Sequence, residues 1–209
     1  RFQVNMNGMI KEELFIGHIT IQRENIMQAG SIIMVVAINK SINEAGFLPI
    51  SDEKAHTLIL GSMPSASSLE KQQYYAHPRN AFWTIMSALF NLKQNEYYHQ
   101  RCAHLIAHNI AVWDVLKSCQ RQGSLDQNIN TDRMIINNFN AFFVQHPNIK
   151  KIYFNGGKAE QIFKQRVLPN LKRSFQQIHQ QRLPSTSPAY AAITLEKKID
   201  LWYQLLTTE

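Results

Sequence analysis

Residues 57–65 read Thr57-Leu58-Ile59-Leu60-Gly61-Ser62-Met63-Pro64-Ser65, a short apolar run that stops at a glycine and a proline. Such a run predicts a buried strand that ends in a tight turn. Two similar runs follow at residues 110–113 and 151–154, and a fourth, shorter strand is expected just before Leu183. Helical stretches separate these runs. The pattern therefore predicts a three-layer α/β/α sandwich with a central, mostly parallel four-stranded sheet.

The helices are expected at five places in the chain. Hydrophobic spacing predicts them at residues 81–90, 96–108, 158–167 and 195–206, and one containing residues 131–139 that ends before His146-Pro147. Residues 1–46 contain no proline and alternate only weakly, so we expect an N-terminal extension of unknown role with one or two strands. Within it, the apolar run at residues 32–38 is too short to span a bilayer and is expected to be a strand. Residues 47–209 form the main domain.

The bulk composition limits the partners and the compartment. The formal net charge is +7 over 209 residues, which favours a polyanionic partner such as nucleic acid, because Lys and Arg that neutralise phosphates release counterions. A mildly basic enzyme without such a partner is the alternative. The two cysteines, Cys102 and Cys119, cannot build a disulfide framework, so a reduced, cytoplasmic location is expected, with no membrane partner.

Four loops should meet at one edge of the sheet, because the carboxyl ends of parallel strands share an edge. They begin at Gly61, Asp114, Asn155 and Ser185. Together with the segment Tyr74-Tyr75-Ala76-His77-Pro78-Arg79-Asn80-Ala81-Phe82-Trp83, they supply amides, hydroxyls and aromatic rings. Such side chains suit a flat nitrogenous base better than a phosphate or a metal ion.

Several aromatic and polar residues in these loops can be assigned either to base recognition or to an ordinary structural role. Tyr75 is expected to face the pocket and stack on a base, whereas Phe82 and Trp83 fit core packing on the opening turn of a helix. Asn80 and Asp114 could read a base edge or orient a water molecule, or could cap helices.

The last two loops also have a functional and an ordinary interpretation. The sequence Asn155-Gly156-Gly157-Lys158 could contact a DNA phosphate, with Lys158 nearby, or could be a plain strand-to-helix turn; it lacks the spacing of a Walker loop. The sequence Ser185-Thr186-Ser187-Pro188-Ala189-Tyr190 could let a sugar-phosphate backbone approach closely, with Tyr190 as a wedge in the base stack, or could be a simple Ser/Pro turn.

Two other chemistries find little support. His104 and His108 have helical spacing, but the sequence offers no evident third metal ligand. The GxSxG turn of serine hydrolases is also missing.

These segments, in this order, resemble the uracil-DNA glycosylase superfamily, and most closely its hypoxanthine-DNA (deoxyinosine) glycosylase family. The resemblance covers the chain from about Gly46 onward. The segment from Tyr75 to Trp83 is similar to one in mismatch-specific uracil-DNA glycosylases, in which the aromatic residue at the position of Tyr75 stacks on the flipped base. Residues 61–65 and 185–189 correspond to the two superfamily motifs, residues 153–159 to the strand and loop between them, and Trp113-Asp114 with residues 121–126 to a pattern of the deoxyinosine branch.

The sequence departs from the superfamily at two positions. Met63 stands where most members carry Asp or Asn to activate water, and Ser185 stands where many carry His to stabilise the leaving base. The deoxyinosine branch is understood to rely instead on two asparagines, which match Asn80 and Asn155. The iron–sulfur branches require four cysteines and are excluded.

The resemblance implies a monofunctional DNA glycosylase that needs no cofactor and acts, as an expected monomer, on double-stranded DNA with a damaged or mismatched base. Hypoxanthine is the favoured base, and uracil or a mismatched base is possible. A non-catalytic DNA-binding module and a small-molecule nucleoside hydrolase are the alternatives. The implied roles are catalysis for Asn80 and Asn155, base binding for Ser62, Met63, Tyr75 and Asp114, and DNA binding for Ser65, Lys158, Ser185, Ser187, Pro188 and Tyr190.

Overall fold

The structure is a computed structural model that describes residues 2–4, 10–16, 19–28, 31–37, 43–93, 96–120 and 133–207. Its N-terminal part forms an antiparallel sheet of four strands in the order β1-β2-β3-β4, where the sequence predicted one or two strands. Their bounds are β1 Phe2–Val4, β2 Ile10–Ile16, β3 Ile19–Gln28 and β4 Ser31–Ala37. The strand predicted at residues 32–38 is confirmed as β4.

The rest of the chain alternates strands and helices. The strands are β5 Asn43–Ala45, β6 Thr57–Gly61, β7 Ile110–Asp114, β8 Leu116–Gln120, β9 Ile135–Ile136, β10 Lys151–Asn155 and β11 His179–Leu183. The helices are α1 Ala66–Lys71, α2 Phe82–Phe90, α3 Tyr98–Ala107, α4 Phe139–Gln145, α5 Gly157–Ile162, α6 Arg173–Gln176 and α7 Leu195–Thr207. Among these described helices, none has both the length and the apolar character that a membrane span requires.

The central sheet has four parallel strands in the order β11-β10-β6-β7, which confirms the predicted fold class. Its register pairs Gly61 with Asp114, Leu60 with Phe154, and Asn155 with Leu183. All four strands therefore end at the same level, and the loops that follow them share one edge of the sheet.

Both faces of this sheet are covered. Successive side chains of a strand point to opposite faces, and β10 shows this directly at Tyr153 and Phe154, which are both buried. The Tyr153 hydroxyl donates a hydrogen bond to the Leu205 carbonyl of α7, whereas the Phe154 ring contacts Phe163. The continuous apolar runs in the sequence reflect this double burial.

Several local features differ from the sequence prediction. The helix expected to contain residues 131–139 starts later, because Ile135–Ile136 pairs with β8 and α4 begins only at Phe139, where the Asn138 side chain accepts from the Ala141 amide; its predicted end before His146-Pro147 is confirmed. β5, β8 and β9 form a small antiparallel sheet that was not predicted. The short helices α1 and α6 were also not predicted, and the helix expected at residues 158–167 changes from α to π geometry at Phe163–Val167.

Candidate active site at the carboxyl edge of the sheet

A cavity of about 300 Å³ opens at the edge where the four parallel strands end. Its wall is made by the loops after β6, β7, β10 and β11 and by the segment that leads into α2. Of the site residues predicted from the sequence, all but the exposed Pro188 line it. These are Ser62, Met63, Ser65, Tyr75, Asn80, Asp114, Asn155, Lys158, Ser185, Ser187 and Tyr190.

Gly61, at the end of β6, leaves the space that the Asp114 carboxylate and the Tyr75 hydroxyl occupy. A Cβ atom at this position would lie 2.3 Å from Asp114 Oδ1 and 3.3 Å from the Tyr75 hydroxyl. Asp114 is buried, with 3% of its surface exposed. The chain after Asp114 is fixed as well, because the Val115 amide donates to the Gly61 carbonyl at 2.9 Å. The strand end thus presents Asp114 to the cavity in a defined position.

Tyr75 lies in the cavity wall with its ring stacked on Phe82, at 3.9 Å between ring centroids and 21° between planes. Its φ of 56° is in the left-handed region, which an aromatic residue adopts only when the surroundings impose it. Trp83 fixes the neighbouring backbone, since its indole nitrogen donates to the Tyr74 carbonyl at 2.9 Å. Phe82 and Trp83 are both buried, so the core-packing interpretation of these two residues is confirmed.

Asn80 combines a hydrogen bond to the start of α2 with a place in the cavity wall, whereas the N-cap position itself is occupied by Ala81. Its Oδ1 accepts a hydrogen bond from the amide of Phe82, the first residue of α2, at 3.0 Å. The backbone before it turns tightly, because the Asn80 amide donates to the His77 carbonyl at 2.8 Å. An amide oxygen has two lone pairs and the NH₂ group has two hydrogens. The bond to the Phe82 amide therefore leaves Asn80 able to bind a water molecule as well.

Asn155 makes a reciprocal pair of hydrogen bonds with Thr186, a cavity residue that the sequence analysis did not single out. Asn155 Nδ2 donates to Thr186 Oγ1 at 2.9 Å, and the Thr186 amide donates to Asn155 Oδ1 at 2.9 Å. The turn that follows Asn155 needs Gly156, whose φ is 99° and whose added Cβ would lie 2.9 Å from Ser185 Cβ. Thr186 looks like an ordinary turn residue in the sequence, and only its partners distinguish it.

The three predicted DNA-binding serines all use their hydroxyl oxygens to hold loop backbone. Ser65 caps α1 by accepting from the Ser68 amide at 3.2 Å. Ser185 accepts from the Ser187 amide at 3.2 Å, and Ser187 accepts from the Ala189 amide at 3.3 Å. A hydroxyl that accepts one bond can still donate its own hydrogen, so both serines of the last loop could also donate to a phosphate oxygen.

Tyr190 is held at the rim of the cavity by a lysine from α7. The Lys198 ammonium donates to the Tyr190 carbonyl at 2.7 Å and lies 5.2 Å from the centre of its ring. Lys198 is itself only 6% exposed, and this burial lowers its pKa. Tyr190 as a whole is 40% exposed. Helical spacing alone gave no signal for Lys198, which would be expected on a solvated face.

The described cavity lining is mostly neutral and hydrogen-bonding, with the buried Asp114 and the lysine Lys158 as its two ionisable aliphatic side chains. Burial raises the pKa of Tyr74, and the nearby charges, of which Asp114 is the largest, raise it further. Tyr74 therefore stays a neutral phenol, with its hydroxyl donating to the Leu48 carbonyl. His104 lies elsewhere and pairs with Glu96. Within the described part of the chain, no three His, Cys, Asp or Glu side chains gather as a metal site would require.

The sequence profile of the uracil DNA glycosylase superfamily matches residues 48–206, which include every loop of the cavity. The chain belongs to this superfamily. Two relatives are the hypoxanthine DNA glycosylases of Methanosarcina barkeri and Methanosarcina acetivorans, each 37% identical. The alignments span 119 residues (56% of this chain and 74% of the relative) and 115 residues (54% and 72%), respectively.

A solved structure gives the same result for the fold. The solution NMR structure of a Methanosarcina acetivorans protein, assigned provisionally as a uracil DNA glycosylase, superposes with a TM-score of 0.63 at 30% identity. The match covers 79% of this chain and 99% of the other. With the superfamily profile and the two named relatives, this makes the chain a DNA glycosylase. Residues 121–126, which also entered the sequence resemblance, lie outside the described residues.

Proposed function

We propose that this glycosylase flips a deaminated base out of duplex DNA into the cavity and hydrolyses its N-glycosidic bond, with hypoxanthine as the favoured base. One observation carries the proposal: a cavity of about 300 Å³ that combines an aromatic wall with fixed amide groups. That volume is at the small end for ligand sites, which suits a single base. Two relatives that share 37% identity are named for hypoxanthine, which supports the choice of base.

The base would be held by stacking and by contacts at its edge. Because Phe82 supports the Tyr75 ring from one side, a base that stacked on the opposite side would meet a rigid surface. Aromatic stacking of this kind contributes about 1–3 kcal/mol per base. Asp114, or backbone amides near Ser62 and Met63, would then recognise the polar edge of the base. A badly paired base costs least to unstack, which favours deaminated bases in the first place.

Bond cleavage would proceed without a water-activating Asp or Asn at the position of Met63. The bond between the sugar C1′ and the base nitrogen breaks, and its electron pair leaves with the base. A water molecule held by Asn80 adds to C1′, and the proton that it loses neutralises the departing base. Asn155 would stabilise that base through the second hydrogen of its Nδ2. Because the transition state has oxocarbenium character, position and hydrogen bonding matter more than the strength of the nucleophile.

The expected product is an abasic site in an unbroken strand. A glycosylase that also cut the strand would need a lysine to form a Schiff base with the sugar. Lys158 lines the cavity, but its place in the first turn of α5 favours a phosphate contact. Borohydride should therefore fail to trap a covalent adduct between the protein and a cleaved duplex.

The test is an excision assay on labelled duplexes that carry a single hypoxanthine, uracil or G·T pair, with alkali to reveal abasic sites. We expect cleavage of the hypoxanthine duplex first. Asn80→Ala should lower the single-turnover rate at least tenfold while the protein remains folded. Asn148→Ala is the matched control, since Asn148 is exposed and binds the Glu53 carbonyl away from the cavity. An unchanged rate for Asn80→Ala would refute the role of this side chain.

The same assay separates the two alternatives. Tight binding to the hypoxanthine duplex with no abasic product after hours would indicate a DNA-binding module, in line with Met63 and Ser185 at positions that usually carry reactive groups. Cleavage of free deoxyinosine but not of duplex DNA would indicate a nucleoside hydrolase.

A further inference from the structure

Thr186 connects three separate loops of the site. Its amide and hydroxyl both bind the Asn155 side chain after β10, at 2.9 Å each. Its carbonyl accepts from the amide of Ala81, at 3.0 Å. Ala81 directly follows Asn80, and both precede α2. Thr186 therefore binds one of the two asparagines of the proposed mechanism directly, and binds the residue that follows the other.

The burial of Thr186 makes this connection rigid. Only 1% of its surface is exposed, in a loop whose next residues are exposed or half-buried. The two hydrogen bonds with Asn155 close a ring, which fixes the orientation of the amide: its oxygen must face the Thr186 amide and its nitrogen must face the hydroxyl. Without the hydroxyl as acceptor, the Asn155 nitrogen would lose its partner and the amide its defined orientation.

We propose that Thr186 is a positioning residue for base excision. It fixes the Asn155 amide and, through the Ala81 amide, ties the Asn80 loop to the same point. This proposal rests on the proposed function, in which Asn80 and Asn155 act on water and on the departing base. It assigns Thr186 no contact with the reacting atoms. Its effect passes through Asn155 and through the segment that carries Asn80.

Thr186→Val tests the hydroxyl alone, because valine has nearly the same shape and keeps both backbone hydrogen bonds. A displacement of about 1 Å at a reacting group can cost a hundredfold in rate. We expect the single-turnover rate on the hypoxanthine duplex to fall about 10- to 100-fold. The dissociation constant for the same duplex should change less than threefold, since the surface that contacts the DNA backbone is unaltered.

Three further variants make the test specific. Thr186→Ser restores a hydroxyl and should recover the rate to within about threefold. Thr84→Val makes the same chemical change on the exposed face of α2 and should leave the rate unchanged. In an Asn155→Ala background, Thr186→Val should slow the reaction less than twofold, because its partner is already lost. An equal loss in both backgrounds would overturn the proposal and would mean that the hydroxyl acts on the substrate directly.

Hydrogen exchange gives a measurement that does not depend on activity. In Thr186→Val the backbone amide of residue 186, which donates to Asn155 Oδ1, should exchange at least fivefold faster, because the Asn155 side chain loses its second hydrogen bond and its defined orientation. The amides of Ala81, whose backbone acceptor is retained, and of Ile59 in the central sheet should be unaffected. If exchange at residue 186 does not change, the hydroxyl does not fix the Asn155 amide and the proposal fails. If the wild-type protein excises no base, the proposed function fails, and the exchange result alone decides whether the Thr186 hydroxyl fixes Asn155.

Discussion

Replacing Gly61 with alanine should destabilise the protein and displace Asp114. The added Cβ would lie 2.3 Å from Asp114 Oδ1, well inside contact distance, and 3.3 Å from the Tyr75 hydroxyl. To relieve the clash, Asp114, which is 3% exposed, or Tyr75, which is stacked on Phe82, would have to leave its position in the cavity wall. Overpacking of a tight site costs about 1–3 kcal/mol. For a chain of this size that lowers Tm by about 2–12 °C.

The assay is thermal or urea unfolding of four proteins that form a double-mutant cycle: wild type, Gly61→Ala, Asp114→Ala and the double variant. Removing the Asp114 carboxylate removes the atom that the new methyl group meets. We therefore expect Gly61→Ala to cost about 1–3 kcal/mol in the wild-type background and close to zero in the Asp114→Ala background. The same cost in both backgrounds would refute the argument that Gly61 exists to admit Asp114.

Gly157→Ala is the matched control for this experiment. Its added Cβ would come no closer than 3.3 Å to a side-chain atom, the Arg182 Nη1, which is the mobile end of a long side chain. Gly157 begins α5, where alanine is favoured over glycine. Gly157→Ala should thus leave stability unchanged or raise it by up to about 1 kcal/mol. A loss of stability at both glycines would mean that the unfolding assay reports something other than the clash at Asp114.

Two further substitutions test the aromatic wall and the rim of the cavity. Tyr75→Leu should lower the rate of hypoxanthine excision about 5- to 150-fold, which corresponds to about 1–3 kcal/mol of lost stacking. Tyr75→Phe keeps the aromatic ring, and its rate should stay within about threefold of wild type. Equal losses in the two variants would argue against stacking. Lys198→Met should weaken binding of the hypoxanthine duplex about fivefold, equivalent to roughly 1 kcal/mol, because the Tyr190 loop loses its charged hydrogen bond. The Tm should change little, because the methionine side chain replaces the buried aliphatic stem of the lysine. Fluorescence anisotropy measures this binding, and unchanged affinity would show that Lys198 does not support the loop.

The central sheet was predictable because its signal is local. Leu58, Ile59 and Leu60 are apolar in succession, and a parallel strand covered on both faces requires that pattern. The short pair Ile135–Ile136 carries no such signal, since two β-branched residues fit a helix turn or a strand equally well. Its strand character comes from pairing with Leu116 and Ser118, which are distant in sequence. Tertiary pairing decides such short segments.

The site residues divide in the same way, into those with a local sequence signal and those whose role depends on tertiary contacts. Asn80 and Asp114 were predictable because polar residues that directly follow or precede regular elements fall at the sheet edge. Thr186 was not, because its role depends on Asn155, which is 31 positions away. Lys198 was not either, since a lysine on an amphipathic helix is ordinarily solvated, and here it is buried against Tyr190. Residues that hold other residues in place leave no pattern in the sequence.

The two departures from the superfamily pattern fit together in this geometry. Met63 offers only a thioether, a weak acceptor that cannot take a proton from water, and Ser185 uses its hydroxyl oxygen to hold the Ser187 amide. A site without these reactive groups can still promote a dissociative reaction if it fixes the water and stabilises the leaving group. Fixing them requires rigid amides. Asn80 is tied to Phe82, Asn155 to Thr186, and Thr186 to Ala81. The hydrogen-bonded loops would thus take over, through position, part of what other members of the superfamily obtain from reactive side chains.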